Sequence, residues 1–523
     1  MLFNGLNLIK DYVYKNSSRS FNKFFKLDIK KFERGLRNGS SREIEDMGKE
    51  MAFNLFLEGS KRLTGYKNLL KDYDINVKDI KSAEDFNLLP IVTKKNYLSK
   101  YSLEDLVWDK DLNKLHLISV SSGSTGEPFF WPRGLGLEFE TALEHELFLK
   151  YFFEIDKKST LFIIGYAMGI YVAGIFTQNS LVRLVQKGYD LTIVSPGADK
   201  DSIINIVKKL GSSYDQIIIS AYSPFLKDLL DKGFAEGLDW KQFNLKFISG
   251  GEGFSEEYRN YIYRKLGIHD YLRSSMNTYG SADAAILGHE TPLSILIRSL
   301  ANKNPKLQKA LFKETRTPSL QQYYPFFKYF EEINGDLVFS TYGGIPLIRY
   351  SIGDNGGIIT FEKMVQTLKV FGIDLEKEMK KHHSEKLIWK LPFVYLFGRK
   401  DNTKIFYGAN IYPEHIKNCL ENEGIIDFVT GKYLIDIRST RNHNQILYLA
   451  VELGQSIKPN TKIKKLLETS IYNNLLEINA EYRYLSQTMG EVIHPTIELY
   501  EFAHPKYFKP SIKPHYVKKS KKK

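Results

Sequence analysis

The stretch at residues 216–251, QIIISAYSPFLKDLLDKGFAEGLDWKQFNLKFISGG, decides the fold class. It opens with an apolar run of strand length, continues with a segment of helical pattern, and closes with a second apolar run. Strands that alternate with helices in this way are typical of parallel α/β sheets. Ligands of such sheets bind at the carboxyl ends of the strands, so we expect site residues directly after each apolar run.

The same alternation continues on the N-terminal side of this stretch. Further apolar runs of strand length lie at 115–120, 160–165 and 191–196, and a helical segment at 199–213 follows the last of them. We expect these runs to form one mostly parallel sheet. Residues 1–115 are charged and mostly helical in pattern.

The pattern changes on the C-terminal side. Residues 336–350, DLVFSTYGGIPLIRY, predict a β-hairpin that turns at Gly343-Gly344, and residues 362–390 predict one charged helix. Residues 291–330 look like an insertion, and the pattern beyond Asp401 is α+β. The predicted fold class is therefore α/β, with a large N-terminal domain of mixed and parallel sheets and a small α+β C-terminal domain. The predicted divisions are 1–115, the helical part of the large domain; 116–400, its α/β part; and 401–523, the C-terminal domain with a basic tail.

The composition excludes several classes of protein. A chain of 523 residues suggests two to four domains, and 43% hydrophobic residues rule out a wholly disordered chain. The formal net charge is +13, but five of the lysines lie in the tail KKSKKK at 518–523. The remaining excess is mild, so the charge fits small polyanionic ligands such as nucleotides and does not predict a nucleic-acid surface.

The single cysteine, Cys419, excludes an intramolecular disulfide and a cysteine-cluster zinc site. It favours a reducing compartment, and we expect a cytoplasmic protein without a signal peptide. The apolar stretch at 161–176 is shorter than the ~20 residues that a membrane span needs, so no span is predicted. His382 and His383 are adjacent on a predicted helix and point in different directions, which indicates surface residues rather than a metal site.

The sharpest local motif is SVSSGSTGEP at residues 119–128, directly after a predicted strand. Glycines let a backbone approach a phosphate closely, and backbone N–H groups and hydroxyls donate to its oxygens. No Gly-Lys-Ser/Thr sequence ends the segment, so it is not a Walker loop. Taken alone, the segment is equally consistent with a phosphate-binding loop and with a flexible polar loop.

Four further motifs follow this loop in order. They are SGGEG at 249–253, NTYGSAD at 277–283, IRYSIGD at 348–354, and FGRKD at 397–401 with Lys404 and GANIYPEHI at 408–416 behind it. Together the five motifs resemble those of the adenylate-forming superfamily of acyl- and aryl-CoA synthetases, adenylation domains and luciferases. The chain looks most similar to the phenylacetate-CoA ligase-like branch. The resemblance extends from about residue 60 to 515 and implies the fold of that superfamily.

The resemblance implies a site for ATP and Mg²⁺. The phosphate-binding loop would consist of Ser121, Ser122, Gly123, Ser124, Thr125 and Gly126, with Thr125 also a catalytic residue. The other nucleotide contacts would be Gly250, Gly251, Glu252, Tyr279, Gly280, Ser281, Asp354, Arg399 and Lys404. Tyr279 would pack on the adenine, and Asp354 would accept hydrogen bonds from the ribose hydroxyls. Asp283 stands where the superfamily has a magnesium-binding glutamate, and Asp401 would be the hinge of the C-terminal domain.

The resemblance also implies a catalytic lysine and an acid pocket. Lys513 would neutralise charge as pyrophosphate leaves, with Lys509 as the alternative, although Ile512 stands where glycine is usual. The acid would lie against Tyr166, Met168, Gly169, Tyr222 and Asn277. These residues lie in the stretches 165–169, 221–223 and 275–277, which contain no lysine or arginine. The pocket therefore favours an apolar or aromatic acid over a dicarboxylate. Tyr166 and Met168 are equally consistent with plain core positions.

The favoured interpretation is an AMP-forming acid–thiol ligase that uses ATP, Mg²⁺ and coenzyme A. An alternative transfers the acyl group to the pantetheine of an acidic carrier protein or to an amine, or passes AMP to a hydroxylated cofactor. A second alternative is a binding module of the same fold without catalysis, which Asp283 and the irregular lysine segment support. The residues predict neither the identity of the acid nor the oligomeric state.

Overall fold

The structure is a computed structural model, and it describes residues 25–120, 129–314, 317–399, 404–407, 409–439 and 445–508. The α-helices are α1 Ile29–Asn38, α2 Ser41–Arg62, α3 Thr64–Asp72, α4 Leu103–Leu106, α5 Leu135–Tyr151, α6 Val172–Gln186, α7 Lys200–Leu210, α8 Ser223–Ala235, α9 Glu256–Leu266, α10 Pro292–Asn302, α11 Pro305–Phe312, α12 Phe361–Val370, α13 Leu375–Lys381, α14 Pro413–Leu420, α15 Thr461–Ile478 and α16 Ala480–Met489. The strands are β1 Leu117–Val120, β2 Phe130–Arg133, β3 Thr160–Ile164, β4 Leu191–Val194, β5 Gln216–Ala221, β6 Leu245–Gly250, β7 Ser275–Ser281, β8 Ala285–His289, β9 Ser319–Gln322, β10 Lys328–Ile333, β11 Asp336–Thr341, β12 Leu347–Tyr350, β13 Asp354–Ile359, β14 Phe393–Arg399, β15 Lys404–Phe406, β16 Ala409–Ile411, β17 Val429–Ser439, β18 Gln445–Leu453 and β19 Thr496–Tyr500.

A mixed sheet forms the centre of the large domain. Its strands lie in the order β10-β11-β13-β14-β9-β8-β7-β6-β5-β3-β4, with β12 paired to β11. The pairs of β3 with β4 and β5, of β5 with β6, and of β6 with β7 are parallel, and the remaining pairs are antiparallel. The predicted α/β class is therefore confirmed, and the opening stretch 216–251 forms β5, α8 and β6.

The first predicted strand run does not join the central sheet. β1 pairs antiparallel with β2 in a two-stranded sheet of their own, with Ser119 opposite Trp131 and Val120 opposite Phe130. Its apolar run is short, and Ile118 and Phe130 remain exposed. The expectation that this run lies in the parallel sheet was wrong, because length and apolarity alone do not specify a pairing partner.

Residues 291–330 are not an insertion. They contain α10, α11 and β9, and β9 lies between β8 and β14 in the middle of the central sheet. β9 has the sequence SLQQ, and its polar side chains hide a buried strand from a search for apolar runs. The segment therefore joins the parallel half of the sheet to its antiparallel half.

The hairpin and the charged helix had different outcomes. The predicted β-hairpin is confirmed, since β11 pairs antiparallel with β12 around Gly343-Gly344. The predicted single helix at 362–390 is instead two helices, α12 and α13. They are separated at Gly372, whose φ of +73° is left-handed and ends the first helix.

Helix α5 is buried along most of its length, including its charged residues. Three of its glutamates pair with cations of neighbouring elements: Glu138 with Arg183, Glu140 with Lys328, and Glu146 with Lys187. A helix enclosed in this way needs such partners, because a lone buried charge is costly. The helix ties α6 and the antiparallel half of the sheet into one core.

Strands β15–β19 form a smaller α+β unit. β15 pairs with β16, and β17, β18 and β19 form a separate sheet in which β18 and β19 are parallel. Helices α14, α15 and α16 pack with these strands around a core of their own. The predicted smaller C-terminal domain is therefore confirmed in class. Its boundary at Asp401 stays a prediction, because residues 400–403 lie outside the described residues.

The described part of the chain contains neither a candidate membrane-spanning helix nor a candidate metal cluster. None of its helices combines the length and apolarity that a membrane crossing requires. No group of three or more His, Cys, Asp or Glu side chains there is arranged to hold a metal ion. His382 and His383 follow α13, outside any such group.

Candidate nucleotide and acid site

The sheet brings predicted site residues to one edge. Tyr166 follows β3, Tyr222 follows β5, and Gly250 is the last residue of β6. Asn277 and Tyr279 lie in β7, which is parallel to β6. Because neighbouring parallel strands end at the same edge of a sheet, residues far apart in sequence meet there. This edge is the candidate site.

Tyr279 and Asp354 are joined directly. The Tyr279 hydroxyl donates to Asp354 Oδ2 at 2.7 Å, and the two residues are only 9% and 8% exposed. The ring of Phe330 lies 6.3 Å from the Tyr279 ring at an interplanar angle of 28°. Asp354 begins β13, opposite Arg399 of β14 in the register. The structure thus places an aromatic ring beside a carboxylate fixed by a hydrogen bond.

The SGGEG segment is a tight turn at the end of β6. Gly251 has a left-handed φ of +83°, which favours glycine. A Cβ at Gly250 would lie 2.5 Å from Thr278 Oγ1, so only glycine fits there without movement. The turn is held from β7, since Asn277 Nδ2 donates to the Glu252 carbonyl at 2.8 Å and to Ser249 Oγ at 3.1 Å. The Asn277 amide therefore fixes this turn, a contact that the sequence interpretation did not include.

A cluster of four buried charged residues packs beside Asn277: Arg259, Glu290, Arg298 and Glu256. Arg259 Nη2 donates to both carboxylate oxygens of Glu290 at 2.7 and 2.8 Å, and the Asn277 backbone N–H donates to Glu290 Oε2 at 2.8 Å. Arg298 Nη1 donates to Glu256 Oε1 at 2.9 Å. Burial raises the pKa of Glu256, but the two arginines outweigh it, so that this pKa lies below its ordinary value. The charges of the cluster are paired with one another, and its contact with the Asn277 backbone helps to fix the strand that carries Asn277 and Tyr279.

Asp283 is anchored between two neighbours. The Tyr350 hydroxyl donates to Asp283 Oδ2 at 2.6 Å. Arg133 of β2 donates through Nη2 to the Ala282 carbonyl and through Nη1 to the Asp283 carbonyl at 3.5 Å. Burial lowers the pKa of Arg133 to about 10, while the Asp283 and Glu138 carboxylates favour its charged form. Arg133 therefore remains a cation at neutral pH.

Arg133 also relates Asp283 to the predicted phosphate-binding loop. The loop residues Ser121–Gly126 lie outside the described residues, but both strands that flank them are described. Val120 ends β1, and its N–H donates to the Ile170 carbonyl at 2.9 Å. Arg133 lies on β2, which pairs with β1. The two strands that flank the predicted loop in sequence therefore also provide the side chain that binds the backbone of Asp283.

The predicted acid-pocket residues are neutral and partly aromatic. The Tyr166 and Tyr222 rings are 5.3 Å apart and edge-to-face, and the Tyr166 hydroxyl donates to the Ile248 carbonyl at 3.1 Å. Burial raises the pKa of Tyr222 to about 12, and the Glu252 carboxylate adds to this effect. Met168 packs against the core, and Gly169 has a φ of +84°. Both tyrosines are therefore uncharged at neutral pH.

The remaining predicted residues have varied positions. Lys404 begins β15, and Gly280 and Ser281 end β7, where Ser281 Oγ accepts the Ala284 N–H at 3.2 Å. Arg399 lies in β14, but its side chain is outside the described part. Asp401, Lys509, Lys513 and the loop that includes Thr125 also lie outside the described residues, so their roles stay predictions.

The structure adds three residues that the sequence interpretation missed. Arg133, Phe330 and Tyr350 contact predicted site residues or their backbone. Tyr350 lies inside the motif IRYSIGD, so its position could have marked it. Arg133 and Phe330 belong to strands with no motif, and only the three-dimensional pairing reveals them.

Known structures resemble this chain in fold, whereas no family model and no curated protein sequence matches it. The 2-hydroxyisobutyryl-CoA ligase in the postadenylation state, in complex with R3-HIB-AMP, aligns with a TM-score of 0.63 and 14% identity, over 90% of this chain and 88% of that one. The same ligase with 2-HIB-AMP and CoA in the thioesterification state gives a TM-score of 0.53 and 14% identity, over 92% and 91%. Its open conformation with the same ligands gives 0.51 and 14%, over 94% and 92%.

These similarities establish the fold of the protein. The chain has the fold of adenylate-forming enzymes such as acyl-CoA ligases, including the smaller C-terminal domain. The fold implied by the five motifs is therefore confirmed. The similarities do not separate the phenylacetate-CoA ligase-like branch from other branches, so that finer assignment stays a prediction.

Proposed function

We propose that this protein is an ATP-dependent ligase that converts a carboxylic acid to an acyl-AMP and then transfers the acyl group to coenzyme A. The observation that carries the proposal is the hydrogen bond from Tyr279 to Asp354 at the carboxyl edge of the sheet. It joins two of the five ordered motifs in a fold whose solved examples include a CoA ligase bound to an acyl-AMP and CoA.

The nucleotide would lie along this edge. Tyr279 would pack on the adenine beside the glycine turn at 250–253, and the fixed carboxylate of Asp354 would accept hydrogen bonds from the ribose hydroxyls. Ser121–Gly126 would donate to the phosphates, and Arg399 would reach the ribose or a phosphate. Lys404 is proposed as a further nucleotide contact.

Mg²⁺ fits the site chemically, because Asp283 offers a hard carboxylate oriented by Tyr350. When bound, Mg²⁺ would neutralise phosphate charge. Arg133 would keep the backbone of Asp283 beside the phosphate-binding loop. Thr125 and Lys513 are proposed to donate to the phosphates as charge develops during adenylation.

The proposed reaction needs no covalent attachment to the protein. A carboxylate oxygen attacks the α-phosphorus of ATP, the bond to pyrophosphate breaks, and an acyl-AMP forms. The sulfur of coenzyme A then attacks the acyl carbon, and AMP leaves. Cys419 is buried in the smaller domain, and burial raises the pKa of its thiol to about 11, so a thiolate role for it is disfavoured.

We further propose an apolar or aromatic acid as the substrate. The two neutral tyrosines Tyr166 and Tyr222 bring no positive charge that would pair with a second carboxylate. The smaller domain is proposed to begin near residue 401 and to turn about Asp401 between the two steps. The single buried cysteine is consistent with work in a reducing, cytoplasmic setting.

The proposal is tested by product analysis with a panel of aryl and fatty acids. Purified protein is incubated with MgATP and each acid, with and without coenzyme A, and AMP, pyrophosphate and acyl-CoA are measured. An acid-dependent release of AMP and pyrophosphate with formation of acyl-CoA would support the ligase. Pyrophosphate release that coenzyme A does not stimulate would favour a carrier protein or an amine as the acceptor. ATP binding without turnover of any acid would favour the non-catalytic module.

A further inference from the structure

Helix α14 of the smaller domain and the residue that caps its C-terminus, Glu421, contact segment 252–255 of the large domain through two charged side chains. Lys417 Nζ lies 3.4 Å from Glu252 Oε2, and both side chains are only 13% exposed. One helical turn later, Glu421 Oε2 accepts the backbone N–H of Ser255 at 2.9 Å. The segment 252–255 is therefore held by a cation at one end and by a carboxylate at the other.

The contact of Glu421 is favourable for two reasons. Ser255 is the N-cap of α9, so the Glu421 carboxylate lies at the positive end of that helix. Burial raises the pKa of Glu421, and Lys417 at 3.8 Å opposes this by favouring the charged form. A partner cation so close helps the carboxylate to stay charged where it is shielded from water.

The rest of the domain contact is continuous with this pair. Ile426 of the smaller domain is buried in a core cluster of the large domain that includes Tyr258 and Ile262. Lys432 Nζ lies 3.6 Å from Asp228 Oδ2 of α8. The charged pair is thus part of a packed face and not an isolated surface contact.

Glu252 is held from both domains. Its carbonyl accepts from Asn277 of the large domain at 2.8 Å, and its carboxylate faces Lys417 of the smaller domain at 3.4 Å. Three glycines, Gly250, Gly251 and Gly253, surround it, so this stretch has little conformational preference of its own. These two contacts therefore help to fix its shape, together with the contacts of Ser249 and Ser255.

We propose that Lys417 is a positioning residue: by holding Glu252 when the smaller domain is docked, it fixes the turn that borders the nucleotide. The inference rests on the proposed function for its consequence, but the positioning itself is independent of any reaction. Lys417 acts through Glu252 and touches no reacting atom. Docking of the smaller domain and tight binding of ATP are therefore coupled through one ion pair.

The chain offers a matched control for this ion pair. Arg264 Nη1 and Glu423 Oε2 also join the two domains, at 3.4 Å, but their side chains are 56% and 81% exposed. Exposed pairs of this kind contribute little, because solvent screens them. Glu423→Gln removes a charge from the same face, three residues beyond α14, without touching the turn.

The first test measures hydrogen exchange of the amides in 250–255 in the protein without substrates. We expect Lys417→Gln to speed their exchange at least roughly fivefold, as loss of one fixing contact would, and Glu423→Gln to leave it unchanged. Equal exchange in wild type and Lys417→Gln would overturn the proposal. This readout needs no enzymatic activity, so a failure of the proposed ligase reaction would leave it interpretable.

The second test is a double-mutant cycle on acid-dependent pyrophosphate exchange. We expect Lys417→Gln and Glu252→Gln each to raise the KM for ATP about fivefold with little change in the KM for the acid, and the double variant to be no worse than either single one. Additive effects of the two substitutions, or equal changes in both KM values, would contradict the coupling.

Discussion

The Tyr279 hydroxyl donates to the carboxylate of Asp354 at 2.7 Å, across 75 residues of sequence. The contact fixes the carboxylate in one orientation and restricts rotation of the phenol ring. It also links a side chain of β7, the fifth strand of the parallel series, to a side chain of β13 in the antiparallel part of the sheet. The candidate nucleotide site therefore lies where the two halves of the sheet meet.

Loss of this hydrogen bond should weaken nucleotide binding. Tyr279→Phe keeps the ring and removes only the hydroxyl, so we expect the KM for ATP to rise about two- to tenfold, as one hydrogen bond contributes. Asp354→Ala should raise it considerably more, because the proposed acceptor of the ribose hydroxyls is lost. ATP titrations at saturating acid measure both effects. The KM for the acid is the internal control, and an equal rise in both KM values would speak against a nucleotide contact.

Arg133 should determine the requirement for magnesium. Its guanidinium donates to two carbonyls, those of Ala282 and Asp283. A lysine would place one nitrogen where the arginine has a planar fork, so we expect it to hold the two carbonyls less well. We expect Arg133→Lys to raise the Mg²⁺ concentration for half-maximal activity several-fold, because Asp283 becomes less well oriented. Arg264→Lys, at an exposed site, is the control. An unchanged magnesium dependence in a folded Arg133→Lys protein would refute the link to Asp283.

The hairpin turn predicted at Gly343-Gly344 packs against β2, the strand that follows the proposed phosphate-binding loop. A Cβ at Gly344 would fall on the carbonyl of Pro132 in β2, and a backbone carbonyl cannot move aside as a side chain can. We expect Gly344→Ala to lower the free energy of unfolding by about 1–3 kcal/mol, measured by denaturant titration. A Cβ at Gly454 would come closest to the Ile457 side chain, at 3.3 Å, and would be in ordinary contact with the Phe428 carbonyl at 3.8 Å, so Gly454→Ala should cost less. If both variants lost the same free energy of unfolding, the close approach of Gly344 to the Pro132 carbonyl would not be what requires glycine.

His145 should make the protein less stable in acid. Burial lowers its pKa to about 4, whereas an exposed histidine titrates near 6.5. Between these values the unfolded chain binds more protons, so the free energy of unfolding falls as the pH is lowered. For this one group we expect a loss of about 2–3 kcal/mol by pH 4.

A comparison with His145→Gln isolates this effect. Glu140, whose pKa burial raises to about 7, acts in the opposite sense but is present in both proteins. The stability difference between wild type and variant should therefore shift in favour of the variant as the pH falls from 7 to 4. A difference that is independent of pH would mean that His145 takes up its proton in the folded protein as readily as in the unfolded one.

Sequence reasoning succeeded where the signal was local. The runs that became β3 to β6 are apolar because strands enclosed on both faces must be, and the turn at Gly343-Gly344 shows its glycines directly. The ordered motifs also predicted the fold, although no single one of them would have sufficed. The contact of Tyr279 with Asp354 follows from the motif order only once the topology is known.

Sequence reasoning failed where pairing is non-local. β9 is polar in sequence, and its place between β8 and β14 depends on strands that lie up to 80 residues away in the chain, which no local pattern encodes. Arg133 belongs to no recognisable sequence motif, and its partners are the backbone carbonyls of Ala282 and Asp283. The sequence alone therefore does not indicate its position beside the site. The contact of Lys417 with Glu252 was missed for a related reason, since it joins two domains.

The most direct test of the central claim follows oxygen from the acid to AMP. A substrate acid found by the panel is labelled with ¹⁸O in its carboxylate, and the AMP released with coenzyme A present is analysed by mass spectrometry. Attack of the carboxylate on the α-phosphorus predicts one ¹⁸O atom in the phosphate of each AMP. AMP without label, or ADP as the product, would contradict an acyl-AMP intermediate and with it the proposed function.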